Sequence, residues 1–188
     1  MEGLTATAGA AEGTEGSRDS GVAVDLSSKI DKPACYARNE SASAPMSNLF
    51  IGDDRLGCKS DADEQLILHI SFQYFCKIKS IKFVAFNGGA DPSVNPSKVN
   101  LYVNRENLGF EDCDDVDPTQ TLHLTAEDLK ADAPPINLKY VLFQRVKSLT
   151  IFIEDNQGAE YTALGGLQLF GRGLDTTNMN DFNKKTQG

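Results

Sequence analysis

The sequence predicts an all-β fold, an antiparallel β-sandwich of the jelly-roll type, and three observations support this prediction. First, apolar residues recur at every second position in eight or so short runs, which is the period of a strand rather than of a helix. Second, turn residues such as Asn87-Gly88-Gly89 and Asn156-Gln157-Gly158 separate these runs. Third, no stretch of helical period lies between successive runs, so parallel βαβ units are not expected.

The alternation defines the individual elements. The alternating residues of the six longest runs are Leu66, Leu68, Ile70 and Phe72; Ile81, Phe83 and Ala85; Val99, Leu101 and Val103; Leu138, Tyr140 and Leu142; Leu149, Ile151 and Ile153; and Leu167 and Leu169. Shorter strand candidates lie at 48–51 and 121–124. Each strand is expected to bury its alternate apolar side chains against a facing sheet, with the loops gathered at the two ends. Short helices are expected only at 25–30 and at 125–128, where Thr125 is a suitable N-cap.

The domain is expected to span residues 22–172. Residues 1–21 are mostly Gly, Ala, Thr, Ser and Glu, too little apolar surface to offset the entropy of ordering, so they are predicted to form a disordered N-terminal tail. Residues 173–188 are polar apart from Leu174, Met179 and Phe182. They are predicted to form a flexible C-terminal tail.

The charge balance disfavours several classes of partner. The 188 residues carry 18 Lys and Arg against 27 Asp and Glu, a formal net charge of −9. This charge repels phosphate backbones and anionic headgroups, so neither nucleic acid nor a membrane is expected as the main partner, although a local basic patch can override it. The N-terminal residues lack the pattern of a signal peptide, and no apolar window is long enough for a membrane helix. We expect a soluble intracellular monomer.

The four cysteines are expected to be free thiols. Cys35, Cys58, Cys76 and Cys113 are separated by 23, 18 and 37 positions, so no C-x-x-C pair exists for redox exchange or a zinc knuckle. Two disulfides in any of three connectivities are the alternative, but a chain without a secretory signal is expected to stay reduced. Cys76 lies in an apolar stretch and is predicted to be buried. The acidic neighbours of Cys113 are expected to raise its pKa.

The sequence lacks a recognisable catalytic or metal-binding motif. His69 and His123 are expected on strands as surface or hydrogen-bonded histidines, with general base or metal ligand as the alternative. The acidic stretches 53–54, 61–64 and 111–117 offer oxygen ligands of the kind calcium prefers, but without the EF-hand spacing. They are expected to be solvated loops. We therefore expect no enzyme activity, no cofactor and no bound metal.

Several strings of the sequence resemble a known domain family. They are SDADEQLI at 60–67, KSIKF at 79–83, VNLYVNR at 99–105, YVLFQRV at 140–146, SLTIFI at 148–153, DNQG at 155–158 and LFG at 169–171. In this order they are similar to the PITH domain, the proteasome-interacting module found at the C-terminus of a thioredoxin-like protein. The resemblance covers about 25–182. It implies a galactose-binding-like jelly roll, which agrees with the periodicity.

The resemblance also implies a function. The sequence resembles the stand-alone PITH-containing type, which lacks the thioredoxin domain and therefore the disulfide reductase activity of the longer relative. We expect a non-catalytic adaptor that docks on the proteasome, or on another assembly, in the cytoplasm or nucleus. The alternative is a module that reads a small ligand or glycan at the loop end of the jelly roll, where Asn87, Gly88, Gly89, Asp91 and Asn95 lie.

The C-terminal residues 177–182 are the candidate partner-binding segment. They resemble the end of the thioredoxin-like relative, and they place two apolar anchors, Met179 and Phe182, around Asn180 and Asp181. The hypothesis is that this segment fills a groove on a partner protein, with Phe182 as the buried anchor. The alternatives are that Phe182 folds back onto its own sandwich, or that the tail has no role.

Overall fold

The computed structural model describes residues 22–174, in which it has nine β-strands, one α-helix and five 3₁₀ helices. The strands are β1 (Val24–Asp25), β2 (Tyr36–Arg38), β3 (Cys58–Lys59), β4 (Leu66–Ala85), β5 (Pro96–Val103), β6 (Gln120–His123), β7 (Ile136–Asn137), β8 (Val146–Asn156) and β9 (Ala163–Gly173). The α-helix α1 is Phe110–Asp115, and the 3₁₀ helices are Ser27–Lys29, Lys32–Ala34, Met46–Phe50, Pro92–Val94 and Tyr140–Leu142. The paired strands are antiparallel, as the all-β prediction requires.

Both predicted tails extend beyond this described range. The disorder expected at 1–21 and the flexibility expected at 175–188 therefore stay predictions. At the C-terminal side, β9 continues through Gly173, and the Leu174 N–H donates to the Phe75 carbonyl at 2.8 Å. Within residues 22–174, each helix is too short or too polar to cross a bilayer.

The strand β4 belongs to both layers of the sandwich. Its first half, 66–71, pairs with β8 on one side and with β2 on the other, whereas its second half, 76–85, pairs mainly with β9. The register with β8 shifts between Ser71 and Cys76, and such irregularities bend a strand. One layer is therefore β2-β4-β8-β5-β6. The other is the second half of β4 between β7 and β9, with β1 and β3 on the far edge of β9.

The core lies between the two layers and uses the alternate positions that the sequence assigns to it. From the first layer it takes Leu66, Leu68, Ile70, Val99, Leu101, Leu149, Ile151 and Ile153. From the second layer it takes Ile78, Ile81, Phe83, Leu164, Leu167 and Leu169. Removal of this apolar surface from water is the main favourable term in folding. The predicted sandwich is confirmed, but the two runs predicted as separate strands at 66–72 and 81–85 are one strand of 20 residues.

A second, smaller apolar cluster covers the outer face of the first layer. Ile67, Tyr102 and Phe152 point away from the main core and pack against the segment that contains α1. The rings of Phe110 and Phe152 meet edge to face at 5.9 Å, and the Tyr102 hydroxyl donates to the Cys113 carbonyl at 3.1 Å. A strict period of two assigns these outer positions to solvent. The structure buries them because a later segment of the chain folds over them.

The acidic stretch 111–117, predicted as a solvated loop, mostly forms α1. The Asp112 carboxylate accepts the Gly109 N–H at 2.8 Å, which satisfies a donor that the first turn of a helix leaves unpaired. Acidic side chains are also favourable at this end of a helix. The carboxylates of the stretch remain solvated, as expected, but their backbone is helical rather than extended.

Two predicted strands, at 48–51 and 138–142, are wrong. The candidate at 48–51 is occupied by the 3₁₀ helix Met46–Phe50, whose first N–H donates to the Glu40 carboxylate at 2.6 Å. At 138–142 the structure has no strand. The two-residue strand Ile136–Asn137 precedes this run, and the chain then forms the 3₁₀ helix Tyr140–Leu142. The pairing of β7 with β4 ends at Asn137. The apolar residues that follow still alternate, but they do not pair with a neighbouring strand.

Of the two predicted helices, one is a 3₁₀ helix of three residues and the other is only a turn. At 25–30 the structure has the 3₁₀ helix Ser27–Lys29, preceded by an Asp25 carboxylate that accepts the Ser27 N–H at 2.7 Å. At 125–128 the predicted cap forms, because the Thr125 N–H and hydroxyl both lie 2.9 Å from an Asp128 carboxylate oxygen. The chain nevertheless makes only a turn here, and a side chain of β4 donates to two carbonyls of this segment.

That side chain is Lys82, a buried lysine that fastens the turn to β4. Lys82 is 3% exposed, and its ammonium group donates to the Asp128 carbonyl at 2.8 Å and to the Lys130 carbonyl. Burial lowers the pKa of Lys82, and the charges of Asp128 and Asp132 oppose that effect. The buried ammonium group is tolerated because two of its three N–H donors are hydrogen-bonded to these carbonyls.

Replacement of Lys82 by Met should lower the free energy of unfolding by about 1–3 kcal/mol, because the partly buried Asp128 carbonyl loses the Lys82 donor and the Lys130 carbonyl keeps only the Ala133 N–H, while the stem volume is kept. Urea denaturation followed by circular dichroism measures this change. The matched control is Lys79→Met, an exposed lysine of the same strand, for which a change below about 0.5 kcal/mol is expected. Equal loss of stability in the two variants would contradict the fastening role.

Candidate functional site

Three loops meet at one end of the sandwich, where the sequence places a possible ligand site. The Asn87 N–H donates to the Asp54 carbonyl at 2.9 Å, and the Gln157 N–H donates to the Asn95 carbonyl at 3.0 Å. These bonds join the loops 52–57, 86–95 and 156–162, which we call the loop end. Both termini of β4 lie here, because Leu66 pairs with β8 near its last residues and Ala85 pairs with the start of β9.

One polar residue predicted for ligand binding, Asp91, uses its side chain for a contact within the protein. The Asp91 carboxylate accepts the Ser93 N–H at 2.8 Å, and this bond lowers the pKa of Asp91. Asn95 is buried, whereas Asn87 and Gly89 are exposed. The loop end therefore keeps little of the paired amide and carboxylate chemistry that the sugar hypothesis needs.

The aromatic residues of the loop end contact a lysine of their own chain. The Lys59 ammonium lies 4.7 Å from the centre of the Phe86 ring and 5.9 Å from that of Tyr161, within the range of a cation–π contact. A side chain at Gly88 would overlap the Phe86 ring, so the loop packs tightly against it. Strand spacing predicts Phe86 as a core residue, but it is half-buried, and nothing in the sequence marks Tyr161, which follows a polar loop.

A groove of about 420 Å³ lies beside the loop end, in the size range of small-ligand sites. Its polar lining includes Asp25, Ser27, Asp54 and Gln168. Gly165 belongs to the lining too, and a Cβ there would overlap the backbone of β4 and come within 2.9 Å of the Asp54 carbonyl. The sequence analysis missed this groove because its residues come from segments far apart in the chain.

His69 is a hydrogen-bonded sheet histidine, as predicted. It is 3% exposed, stacks on the Tyr36 ring at 4.6 Å and places Nδ1 2.9 Å from the Thr150 hydroxyl oxygen. That hydroxyl donates its own proton to the Arg105 carbonyl at 2.9 Å, so the oxygen accepts from the imidazole. Burial lowers the pKa of His69, and the charge of Arg38 acts in the same direction. The pair is therefore a structural link rather than a nucleophile with its base.

None of the four cysteines among residues 22–174 forms a disulfide, and three of them have a raised pKa. Cys58, Cys76 and Cys113 are buried, and Cys35 is half-buried. Burial raises the pKa of Cys58 to about 12, and it also raises the pKa of Cys35. Burial is the main cause of the raised pKa of Cys113, and the charges of Asp112 and neighbouring acids add to it. The predicted direction for Cys113 is confirmed, with the acids as the smaller cause.

The acidic stretches make local contacts. Asp53 forms an ion pair with Arg55 at 3.0 Å, and the hydrogen bonds from Arg55 lower the pKa of Asp53. An Asp63 carboxylate oxygen accepts from the Asn39 amide at 2.9 Å. His123 is exposed on β6. Among residues 22–174, no three His, Cys, Asp or Glu side chains come together in a way that could hold a metal ion.

An exposed apolar turn lies at the opposite end of the sandwich, beside the bend of β4. The turn is the 3₁₀ helix Tyr140–Leu142, and its three side chains are 40%, 79% and 46% exposed. Leu138 and Phe143 on either side are buried in the core. We call these three residues the apolar turn. The sequence analysis assigned two of them to the core by their period of two.

The predicted partner-binding residues Met179, Asn180, Asp181 and Phe182 lie outside the described residues. The chain reaches the limit of the described range at Leu174, which is bonded to Phe75 in the bend of β4. The segment that follows therefore begins at the same end of the sandwich as the apolar turn.

Comparisons with known proteins agree with this architecture. The chain is 12% identical to the CBM32-1 and CBM32-2 domains of Clostridium perfringens ZmpB in complex with GalNAc, with a TM-score of 0.62. The match covers 80% of this chain and 36% of that one, and at this identity it shows the fold alone. The fold is thus the galactose-binding-like jelly roll that the resemblance implies.

The sequence comparisons identify the family. The chain is 34% identical over 144 residues to thioredoxin-like protein 1 of Schizosaccharomyces pombe, covering 76% of this chain and 49% of the relative. It thus spans about half the length of that protein. It is 32% identical over 158 residues to PITH domain-containing protein 1 of Homo sapiens, covering 81% of this chain and 72% of the relative. The PITH domain model matches residues 16–188, so the chain belongs to the PITH domain family.

Proposed function

We propose that this chain is a non-catalytic protein-interaction module that acts as a proteasome-associated adaptor in the cytoplasm or nucleus. The observation that carries the proposal is the apolar turn, three consecutive apolar residues held in solvent. Contiguous exposed apolar surface typically marks a site of protein interaction. The choice of the proteasome rests on membership of the PITH family, and the monomeric state and the location are part of the proposal.

The described polar and nucleophilic groups support a non-catalytic role. The thiols of Cys35, Cys58 and Cys113 have raised pKa values, which keeps them protonated near neutral pH, whereas the thiolate is the reactive form. The ammonium group of Lys82 is bonded to two carbonyls, and the Thr150 hydroxyl is bonded to a carbonyl next to His69. These groups hold loops and strands together, which is a structural use.

The segment Met179, Asn180, Asp181 and Phe182 remains part of the proposal as a second contact with the partner. It follows Leu174, whose bond to Phe75 fixes the start of the segment beside the bend of β4. A partner that covers the apolar turn is therefore within reach of the segment as well. Two linked contacts bind more tightly than either one alone.

A second candidate function is the binding of a small ligand or glycan, which the groove beside the loop end favours. The groove has the volume of a small-ligand site, and Asp25, Asp54 and Gln168 are among the residues that line it. A solved relative in fold was determined in complex with GalNAc. The limited polar chemistry of the loop end places this function second.

The full chain should show no insulin reductase activity, and its denatured form should contain four free thiols under non-reducing conditions. In the folded protein at pH 8, DTNB should label the half-buried Cys35 first and leave Cys58 protected, because a pKa of about 12 leaves little thiolate. Cys35→Ser is the control and should remove the fast phase alone. Fewer than four thiols, or insulin turnover above that of a variant with all cysteines replaced by serine, would contradict the non-redox role.

The tagged full chain should recover intact proteasome from cell lysate, as scored by its subunits. Truncation after Leu174 preserves the last described backbone bond and should reduce recovery about tenfold if the C-terminal segment anchors the partner. Phe182→Ala should have a similar effect at an unchanged melting temperature. A lower melting temperature for Phe182→Ala would indicate that the ring folds back on the sandwich. Recovery by the full chain no better than by the tag alone would rule out the proteasome role.

Titration with galactose and GalNAc tests the second function. The adaptor proposal expects no saturable change in the amide NMR spectrum of the full chain at millimolar sugar. If shifts saturate around the groove and are lost in Asp54→Ala but kept in Asp91→Ala, the ligand function replaces the adaptor function as the better account.

A further inference from the structure

The charges of the chain are segregated along the sequence. The segments 65–90, 133–153 and 161–174 contain seven Lys and Arg and no Asp or Glu, although the whole chain has a formal net charge of −9. These segments include all of β4, β7, β8 up to Ile153, and β9. The basic residues are Lys77, Lys79, Lys82, Lys139, Arg145, Lys147 and Arg172. All but the buried Lys82 lie near the bend of β4 or the apolar turn.

Backbone contacts bring several of these residues beside the apolar turn. Lys139 directly precedes the turn, and the Leu138 N–H donates to the Lys79 carbonyl at 2.9 Å. The Arg145 guanidinium lies 4.1 Å from the centre of the Phe75 ring. The Lys147 ammonium donates to two carbonyls in the bend, at 2.8 and 2.7 Å. The result is an apolar centre with a basic rim at one end of an acidic protein.

The turn is held rigidly although its side chains are exposed. The Ile78 N–H donates to the Phe143 carbonyl at 2.9 Å, and the Gln144 amide donates to the Tyr140 carbonyl at 2.8 Å. The buried side chains of Leu138 and Phe143 anchor both flanks in the core. A preformed turn of this kind loses little conformational entropy on binding, which favours its use as a contact surface.

We propose that the basic apolar face, defined as Tyr140–Leu142 with Lys79, Lys139 and Arg145, docks an acidic segment of a partner protein that also carries apolar side chains. This inference rests on the proposed interaction function and specifies the chemistry of the partner. The apolar turn packs against the apolar side chains, and the basic rim attracts the carboxylates and aligns the segment.

Charge argues against the other occupants. A second copy of the chain, docked face to face, would place two basic rims against each other, and like charges repel. The chain's own C-terminal segment carries Lys184 and Lys185 beside Asp175 and Asp181, so it offers no net negative charge. An anionic membrane would be repelled by the net charge of −9 that the whole protein carries.

The test uses the full chain and a fluorescein-labelled peptide of about 12 residues built from Glu and Leu, followed by fluorescence anisotropy. We expect saturable binding that weakens as NaCl rises from about 50 to about 300 mM, because salt screens the charge contacts. A peptide of the same length with Gln in place of Glu should bind at least about tenfold more weakly. Equal binding of the two peptides would overturn the proposal.

Variants locate the binding site. Val141→Ser and, separately, Lys79→Glu with Lys139→Glu should each weaken binding of the acidic peptide about tenfold. The matched controls are Ile51→Ser, an apolar residue that is 60% exposed elsewhere, and the exposed Lys32→Glu, both of which should bind like the wild type. The charge-reversal variant changes solvated side chains alone, so it remains informative if Val141→Ser folds poorly. Binding unchanged in both face variants would overturn the assignment.

Three further results would each replace the proposed occupant. Peptide binding that appears only after truncation following Leu174 would identify the chain's own C-terminal segment. A concentration-dependent dimer in analytical ultracentrifugation, lost in Val141→Ser, would identify a second copy. Sedimentation of the wild type, but not of Val141→Ser, with phosphatidylserine vesicles in the absence of peptide binding would identify a lipid surface.

Proteasome recovery separates this inference from the proposed function. If wild type and face variants recover the proteasome equally, the adaptor function stands and the docking face is wrong. If the peptide binds as expected while no chain recovers the proteasome, the face stands and the proteasome is the wrong partner.

Discussion

The bend of β4 is the constraint on which the rest of the structure depends. Cys76, at the bend, is buried and has Val146 of β8 as its Cα partner on one side and Gly173 of β9 on the other, so the two layers meet there. The strands approach each other so closely here that position 171 requires glycine, because a Cβ at Gly171 would overlap the Lys77 carbonyl. One continuous strand therefore supplies the centre of both layers, and the core forms between its two halves.

The same bend gives the two ends of the sandwich different characters. Both termini of β4 reach the loop end, where the acidic residues Asp53, Asp54 and Asp91 lie in loops that bond to one another. The bend itself lies at the opposite end, with the apolar turn and the basic residues of the neighbouring strands. The proposed ligand function would use the first end and the proposed protein-interaction function the second, so the two proposals concern different surfaces of one molecule.

Polar groups inside the sandwich fasten segments that strand pairing alone would leave loose. Lys82 holds the turn after β6, the hydroxyl of Thr150 links His69 to the loop after β5, and Tyr102 holds the segment of α1. Each is buried and hydrogen-bonded, which removes the cost of an unpaired polar group and limits its reactivity. These contacts give the buried Lys82, Thr150 and Tyr102 a structural role in holding loops to the sandwich.

The sequence by itself determined the β-class, the core positions of the long strands and the place of His69 on a strand, because a half-buried strand must alternate apolar and polar side chains. It also indicated the family. Only the tertiary structure decided that 66–72 and 81–85 are one bent strand, that α1 covers Ile67 and Phe152, and that Tyr140–Leu142 faces solvent. The physical reason is that alternation reports which side chains share a face, whereas a distant segment decides whether that face is paired, covered or left exposed.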